Sequence, residues 1–150
     1  MPKSTRSFLF PDINVWIALT YEGHVHHAVA RDWFEGVSSA SRLFFSRFTQ
    51  LGLLRLLTAE AVMGRDEVMG QTGAWQAYDR WMQDDRVEFL DEPAGLEAAF
   101  RALSRSPRPA PKEWADSYLA AFASASRLLI VTLDGAFRDK VKDAVILGPK

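Results

Sequence analysis

Three aspartates stand where apolar segments give way to polar sequence. Asp12 directly follows the run "SFLFP", and Asp134 ends the run "LLIVTLD". Both runs have the length and composition of short buried strands. Asp116 lies near the start of "KEWADSYLAAFASAS", whose periodicity predicts a helix. The sequence therefore puts a carboxylate after each of two strands and a third at the start of the helix that leads into the second strand.

The way these elements assemble determines whether the carboxylates meet. In an open parallel sheet, ligands bind beyond the carboxyl ends of the strands. If the two strands are parallel neighbours, Asp12, Asp116 and Asp134 converge at that edge. Carboxylates that converge repel one another, and they persist together when a hard cation such as Mg²⁺ or Mn²⁺ lies between them. Such a site activates water and stabilises the charge of an attacked phosphodiester.

Each aspartate also has a purely structural interpretation. Asp12 could cap the helix that follows it. Asp116 could be a first-turn acid stabilised by the helix dipole, and Asp134 with Gly135 could simply form a turn. The functional interpretation depends on the three acids meeting at one edge.

The rest of the chain supplies the elements for such a sheet. Apolar runs alternate with amphipathic stretches, which predicts a parallel sheet with helices on both faces, in the α/β class. The predicted strands are 7–10, 42–46, 87–90, 128–134 and 144–147. The predicted helices are one beginning just after Asp12, then 26–37, 49–62, 66–85, 94–104, 112–126 and a short one at 135–141. The glycines Gly70 and Gly73 predict a loop that interrupts or precedes the 66–85 helix. A length of 150 residues and the lack of any internal repeat predict a single domain, 1–150.

Composition narrows the class of protein. Hydrophobic residues make up 48% of the chain and charged residues 25%, as in ordinary globular domains. The net charge of −1 gives no global field that would attract nucleic acid, so any anion must be bound by a local patch. There are no cysteines, which excludes disulfides and thiolate metal sites. No apolar run is long enough to span a membrane, and we expect a cytoplasmic protein.

Four blocks of the sequence resemble a known family. "DINVWIAL", "TQLGLLRLL", "WADSYLAAFA" and "VTLDGAF" are similar, in order and spacing, to the PIN-domain toxins called VapC, and in particular to the branch with a "TQLGxLRLL" helix. The resemblance extends from about Phe8 to Leu147. It implies a three-layer α/β/α sandwich and a Mg²⁺- or Mn²⁺-dependent endoribonuclease. It also implies a VapB-like antitoxin that blocks the site, and it favours a homodimer.

The resemblance assigns site residues by position. The three metal-binding acids of the family fall on Asp12, Asp116 and Asp134. Asn14 matches the polar residue of the family's "DxN" pattern. Thr132 matches the hydroxyl residue that often precedes the last acid by two positions.

One position departs from the wider family. Many PIN domains carry a glutamate in the helix after the second strand, where this chain has Gln50. A glutamine can hold water or a metal through its carbonyl oxygen but adds no negative charge. The narrower branch usually has glutamine here, so the resemblance still implies an active enzyme. Gln50, Asn14 and Thr132 are expected to orient ligands or water.

A basic segment precedes the Asp116 helix and has two interpretations. Arg101, Arg105, Arg108 and Lys112 follow one another with no acid between them. A flexible loop of this kind could grip a phosphate backbone near the acids. It could equally be a solvated linker.

Two other functions compete with a nuclease. The first is a catalytically weak or inactive module that binds RNA or a VapB-like partner, and the loss of a charge at Gln50 favours it. The second is an α/β phosphatase with an aspartate nucleophile after the first strand. Such enzymes usually need a second acid two residues later, and Asn14 at that position argues against this class.

Overall fold

The fold is organised around a parallel sheet, as the alternation of strands and helices predicts. A computed structural model describes residues 6–148. Five strands pair in the order β3-β2-β1-β4-β5, and every pair is parallel. The strands are β1 Phe8–Pro11, β2 Arg42–Phe45, β3 Val87–Phe89, β4 Leu129–Thr132 and β5 Val145–Ile146. The α-helices are α1 Ile13–Thr20, α2 His27–Glu35, α3 Arg47–Leu57, α4 Glu60–Met63, α5 Gln71–Met82, α6 Leu96–Leu103 and α7 Trp114–Ser126.

Helices cover both faces of this sheet. Alternate residues of a strand point to opposite faces, so Leu9 and Phe10 of β1 enter two different apolar clusters. The Leu9 cluster joins the sheet to α1, α2, α3 and α5. The Phe10 cluster joins it to α6 and α7. The α/β/α sandwich expected from the sequence is thereby confirmed. No helix within residues 6–148 has the length and hydropathy needed to cross a membrane.

The register between β1 and β4 fixes the position of the first acid. Pro11 lies opposite Val131, and the N–H of Asp12 donates to the Val131 carbonyl at 2.8 Å. One further step along this register places Asp12 beside Thr132. The predicted parallel pairing of these two strands is correct, and it brings the carboxyl ends of β1 and β4 side by side.

The helix predicted over 49–62 is wrong at both ends. It begins earlier, at Arg47, because Ser46 and Thr49 form a reciprocal capping box. It stops at Leu57, because the Thr58 hydroxyl directs its single proton to the carbonyls of the last turn, with Leu54 O at 3.0 Å and Arg55 O at 3.1 Å as alternative acceptors. A separate turn of helix, α4, follows.

Other helices also differ from the prediction. The helix predicted over 66–85, with a loop around Gly70 and Gly73, forms as Gln71–Met82, and Gly70 in an extended conformation is its N-cap. The expected loop therefore precedes the helix at Gly70, whereas Gly73 lies within the helix. The short helix predicted at 135–141 is a 3-10 helix, Gly135–Asp139. The residues before α7, Pro111–Glu113, form another.

Close packing of α1 against α3 depends on a glycine. A Cβ placed on Gly52 would lie 2.3 Å from Cδ1 and 2.7 Å from Cγ1 of Ile13. In contrast, a Cβ on Gly73 of α5 would meet nothing closer than Met69 Cβ at 3.5 Å. Of these two helical glycines, only Gly52 lacks room for a Cβ atom.

We predict that Gly52→Ala and Gly73→Ala change stability in opposite directions. Overpacking costs roughly 1–3 kcal/mol, which exceeds the roughly 1 kcal/mol by which alanine is favoured over glycine in a helix. Gly52→Ala should therefore lower the free energy of unfolding by about 1 kcal/mol. Gly73→Ala should raise it by about 0.5–1 kcal/mol. Urea denaturation measures both, and a gain of stability in Gly52→Ala would show that α1 and α3 are not tightly packed.

Candidate active site at the carboxyl edge of the sheet

Asp12 both caps α1 and faces the edge of the sheet. Its Oδ1 accepts the N–H of Ile13 at 2.7 Å, in the manner of an N-cap. Its Oδ2 accepts the hydroxyl proton of Thr132 at 2.9 Å. The structural interpretation of Asp12 as a cap is correct, and it does not exclude the functional one, because the second oxygen is directed to the neighbouring strand.

Thr132 is the centre of a hydrogen-bond network that joins β1, α1 and β4. Its hydroxyl donates to Asp12 and accepts from Asn14 Nδ2 at 3.2 Å and from the N–H of Asp134 at 3.1 Å. A hydroxyl has one proton and two lone pairs, so these contacts use its whole capacity. Asn14 Oδ1 also accepts the N–H of Leu133 at 3.1 Å. Asn14 and Thr132 thus hold the backbone around both aspartates.

Asp134 lies at the turn after β4, next to this network. Its Oδ1 accepts the N–H of Ala136 at 2.9 Å and caps the 3-10 helix that follows. The interpretation of Asp134 with Gly135 as a turn is therefore also correct. The side chain is exposed, and its Oδ2 has no hydrogen bond to any residue in the range 6–148.

Asp116 approaches the same edge from the first turn of α7. Its carboxylate has no hydrogen bond or ion pair with another group among residues 6–148. The positive charge of Lys140 acts on this carboxylate. The Nζ of Lys140 itself lies 3.3 Å from Glu113 Oε1. Lys140 is a functional candidate that the sequence interpretation missed, because nothing in the local pattern after β4 places it beside α7.

The charges of the three acids act on one another. Burial is the main cause that raises the pKa of the Asp12 carboxyl, and the negative charges of Asp116 and Asp134 raise it further, against the hydrogen bonds from Thr132 and Ile13. Burial, followed by the charge of Asp134, also raises the pKa of Asp116, whereas Lys140 lowers it. The structure therefore brings the three predicted acids together, at a net electrostatic cost.

This set of donors has the chemistry of a hard-cation site, in an open arrangement. The groups are carboxylate oxygens, which Mg²⁺ and Mn²⁺ prefer. The raised pKa values of Asp12 and Asp116 come first from burial and then from the negative charges of the neighbouring acids. Across residues 6–148, no group of three or more Asp, Glu, His or Cys side chains is arranged so that it could hold a metal ion. The acids therefore fit a cation in chemical type, and a metal at this edge remains a prediction. Within the same range, Asp116 and the Oδ2 of Asp134 have no hydrogen-bond partner.

Gln50 lies at the same edge but has other partners. It is buried in the first turn of α3, where its Oε1 accepts from Arg47 at 2.7 Å. The phenol of Tyr78 is close enough for Gln50 to lower the pKa of that phenol, against the larger effect of burial. The expected role of Gln50 in orienting ligands or water remains a prediction, but in this arrangement its Oε1 is occupied by Arg47.

The basic segment before α7 is exposed and only partly neutralised. Arg101 pairs with Glu97 of the same helix at 3.0 Å, and both side chains are exposed. Arg105, Arg108 and Lys112 are also exposed and have no ion pair among residues 6–148. The exposure of this segment agrees with both interpretations, a loop that binds a phosphate backbone and a solvated linker.

Comparison with known proteins identifies the family. The PIN domain family model matches residues 9–143. Ribonuclease VapC41 of Mycobacterium tuberculosis is 43% identical over 132 residues, which cover 86% of this chain and 90% of that protein. Among solved structures, VapC20 of Mycobacterium tuberculosis, a Sarcin-Ricin loop cleaving toxin, superposes with a TM-score of 0.67 at 17% identity, covering 93% of this chain and 99% of that one.

A second solved structure shares the fold in a different setting. VapBC2 from Rickettsia felis, bound to a DNA fragment from its promoter, superposes with a TM-score of 0.63 at 12% identity. It covers 93% of this chain and 96% of that one. At such low identities these structures show only a shared fold. The match to the family model and the 43% identical relative show that this chain is a member of the same family. The chain belongs to the PIN-domain family and, within it, to the VapC proteins.

Proposed function

We propose that this protein is the toxin of a type II toxin–antitoxin system, a metal-dependent endoribonuclease that hydrolyses phosphodiester bonds of RNA. The observation that carries the proposal is the meeting of Asp12, Asp116 and Asp134 at one sheet edge. It occurs in a chain 43% identical to a protein named as a ribonuclease. Burial and mutual repulsion make the charged forms of Asp12 and Asp116 costly, so the cluster is best explained by a ligand that offsets the repulsion.

The proposed roles follow from the contacts. Asp12, Asp116 and Asp134 would hold Mg²⁺ or Mn²⁺, and the cation, when bound, supplies positive charge that polarises the phosphodiester and lowers the pKa of attacking water. Thr132 fixes the rotamer of Asp12 through its 2.9 Å hydrogen bond. Asn14 fixes Thr132 and the backbone before Asp134. Through these contacts the two residues would position the acids.

The proposed partners follow from the family. A VapB-like antitoxin would bind this chain and cover the carboxyl edge. Two toxin chains would form a homodimer, and RNA would be met in the cytoplasm. The open arrangement of the acids favours one alternative, an inactive module that binds RNA or a VapB-like partner without cleaving it.

Metal binding distinguishes the enzyme from the inactive module without any assay of activity. Without metal at neutral pH, we expect Asp12→Asn to melt at a higher temperature than the wild type, because the substitution removes a buried charge that Asp116 and Asp134 repel. Added Mg²⁺ or Mn²⁺ should stabilise the wild type by mass action and the variant much less. Thermal melts in EDTA and in each metal measure both effects.

The pH dependence of this difference has a defined sign. Since the pKa of Asp12 is raised in the folded protein, folding is favoured when the group is protonated. The penalty is absent below the usual carboxyl range and develops as pH rises through the raised pKa. The advantage of Asp12→Asn should therefore disappear on acidification. A wild type that gains no stability from either metal would support the inactive module.

Cleavage of total RNA tests the activity itself. We expect discrete fragments with Mg²⁺ or Mn²⁺, none with EDTA, and at least about a hundredfold loss of rate in Asp12→Asn and Asp134→Asn, since a metal-held charge is worth several kcal/mol in the transition state. Full cleavage by folded Asp12→Asn protein would refute the assignment of the site.

The positioning role of Thr132 has a matched pair of variants. Thr132→Ser keeps the hydroxyl and should retain most of the activity. Thr132→Val has nearly the same shape but cannot donate to Asp12, and we expect a 10–100-fold loss, as for other groups that orient metal ligands. Rates and apparent metal affinities measured for both variants check this. Equal activity in the two variants would show that the hydroxyl network does not position Asp12.

A further inference from the structure

We propose that Arg47 binds a phosphate of the RNA that flanks the scissile phosphate, and that Gln50 and Phe89 hold its guanidinium in place for this purpose. This inference rests on the proposed function and adds a substrate-binding residue to it. Neither the aspartates nor their network includes Arg47.

The strand register places Arg47 on the same edge as the acids. β1 and β2 are parallel, with Leu9 opposite Leu43, so continuation of this register sets Asp12 opposite Ser46, the residue before Arg47. The Arg47 side chain then extends toward β3, where its guanidinium carbon lies 4.6 Å from the centre of the Phe89 ring. In the sheet, β3 is two strands away from β1, and neighbouring strands are about 4.8 Å apart. The guanidinium beside Phe89 is therefore placed for a phosphate next to the one under attack.

Two neutral groups hold the guanidinium. One Nη donates to Gln50 Oε1 at 2.7 Å, and the ring of Phe89 covers one face. Gln50 is itself buried, which restricts its side chain. A side chain ordered before the ligand arrives loses less entropy when it binds. The arrangement therefore prepares the remaining N–H donors of an exposed arginine for a ligand.

Arg47 carries a positive charge that no acid neutralises in the part of the chain that the structure describes. Among residues 6–148, no carboxylate forms an ion pair with it. The neighbouring Arg42 differs, because it pairs with Glu88 at 3.0 Å. A planar guanidinium with free donors matches the oxygens of a phosphate, and the acids across the edge would repel such a ligand if no cation stood nearby.

This role gives a physical reason for glutamine at position 50. A glutamate there would accept the same hydrogen bond from Arg47 and neutralise its charge in a salt bridge. Gln50 provides the acceptor without the charge. The amide thus keeps Arg47 both ordered and available for an anion.

Binding of a fluorescently labelled single-stranded RNA of mixed sequence tests the proposal. All variants are made in an Asp12→Asn background, which prevents cleavage, and affinity is measured across a series of salt concentrations. We expect Arg47→Ala to weaken binding about tenfold. The slope of log K against log salt should fall in magnitude by about 0.7, the value for one contact with a single-strand phosphate. Gln50→Glu should lower both quantities in the same way.

Two further variants serve as controls. Arg55→Ala removes an exposed arginine from the far end of the same helix and should change neither affinity nor slope. Arg47→Lys keeps the charge but not the planar fork, so it should restore the slope and part of the affinity. Circular dichroism and thermal melts show whether each variant is folded. Unchanged affinity and slope in folded Arg47→Ala would overturn the proposal and would leave an acidic protein segment as the ligand of this charge.

Cleavage kinetics with Asp12 restored separate this inference from the proposed function. If the wild type cleaves RNA and Arg47→Ala raises KM with little change in kcat, the nuclease function and the role of Arg47 are both supported. If the wild type cleaves and Arg47→Ala behaves like it in binding and in KM, only the inference on Arg47 fails. If the wild type does not cleave but the salt slope depends on Arg47, the nuclease proposal fails and Arg47 remains an RNA-binding residue.

Discussion

The candidate site depends on the parallel pairing of β1 with β4. These strands are far apart in sequence, and their register sets Asp12 beside Thr132. Thr132 donates the resulting hydrogen bond at 2.9 Å and accepts two more from Asn14 and from the N–H of Asp134. These three bonds connect the two strand ends. A shift of this register by one residue would turn Thr132 to the other face of the sheet. The pairing therefore sets how the acids are spaced along the edge, and it also sets which side chains face the core.

The edge that this pairing creates is electrostatically unfavourable in the isolated chain. Burial and mutual repulsion raise the pKa values of Asp12 and Asp116, and Lys140 opposes this effect only for Asp116. The stability needed to tolerate such repulsion comes from elsewhere, because two apolar clusters enclose both faces of the sheet. Proteins commonly hold functional groups in unfavourable environments in this way.

The edge also has a second, oppositely charged part. The acids lie after β1 and β4, whereas Arg47 follows β2 and stacks on Phe89 of β3. The acids and this guanidinium therefore follow different strands at the same edge. The neutral amide of Gln50 accepts from Arg47 where a further acid would have neutralised the arginine.

The sequence alone determined the architecture and the acids. Continuous apolar runs identify buried strands, and the acids at Asp12, Asp116 and Asp134 stand at strand ends and at a helix start, so a parallel sheet brings them to one edge. These features are local or follow from a topological rule. The four family blocks added the expected roles of Asn14 and Thr132.

Only the tertiary structure decided which partners the polar side chains have. Thr132 bonds a residue 120 positions away, and Gln50 bonds Arg47 instead of standing free at the site. The early end of α3 depends on a side-chain hydrogen bond of Thr58 that competes with the helix. Such choices depend on distances between groups that are remote in sequence or on competition between alternative hydrogen bonds. Periodicity and residue type carry no information about either, and for this reason the position of Arg47 became visible only in the fold.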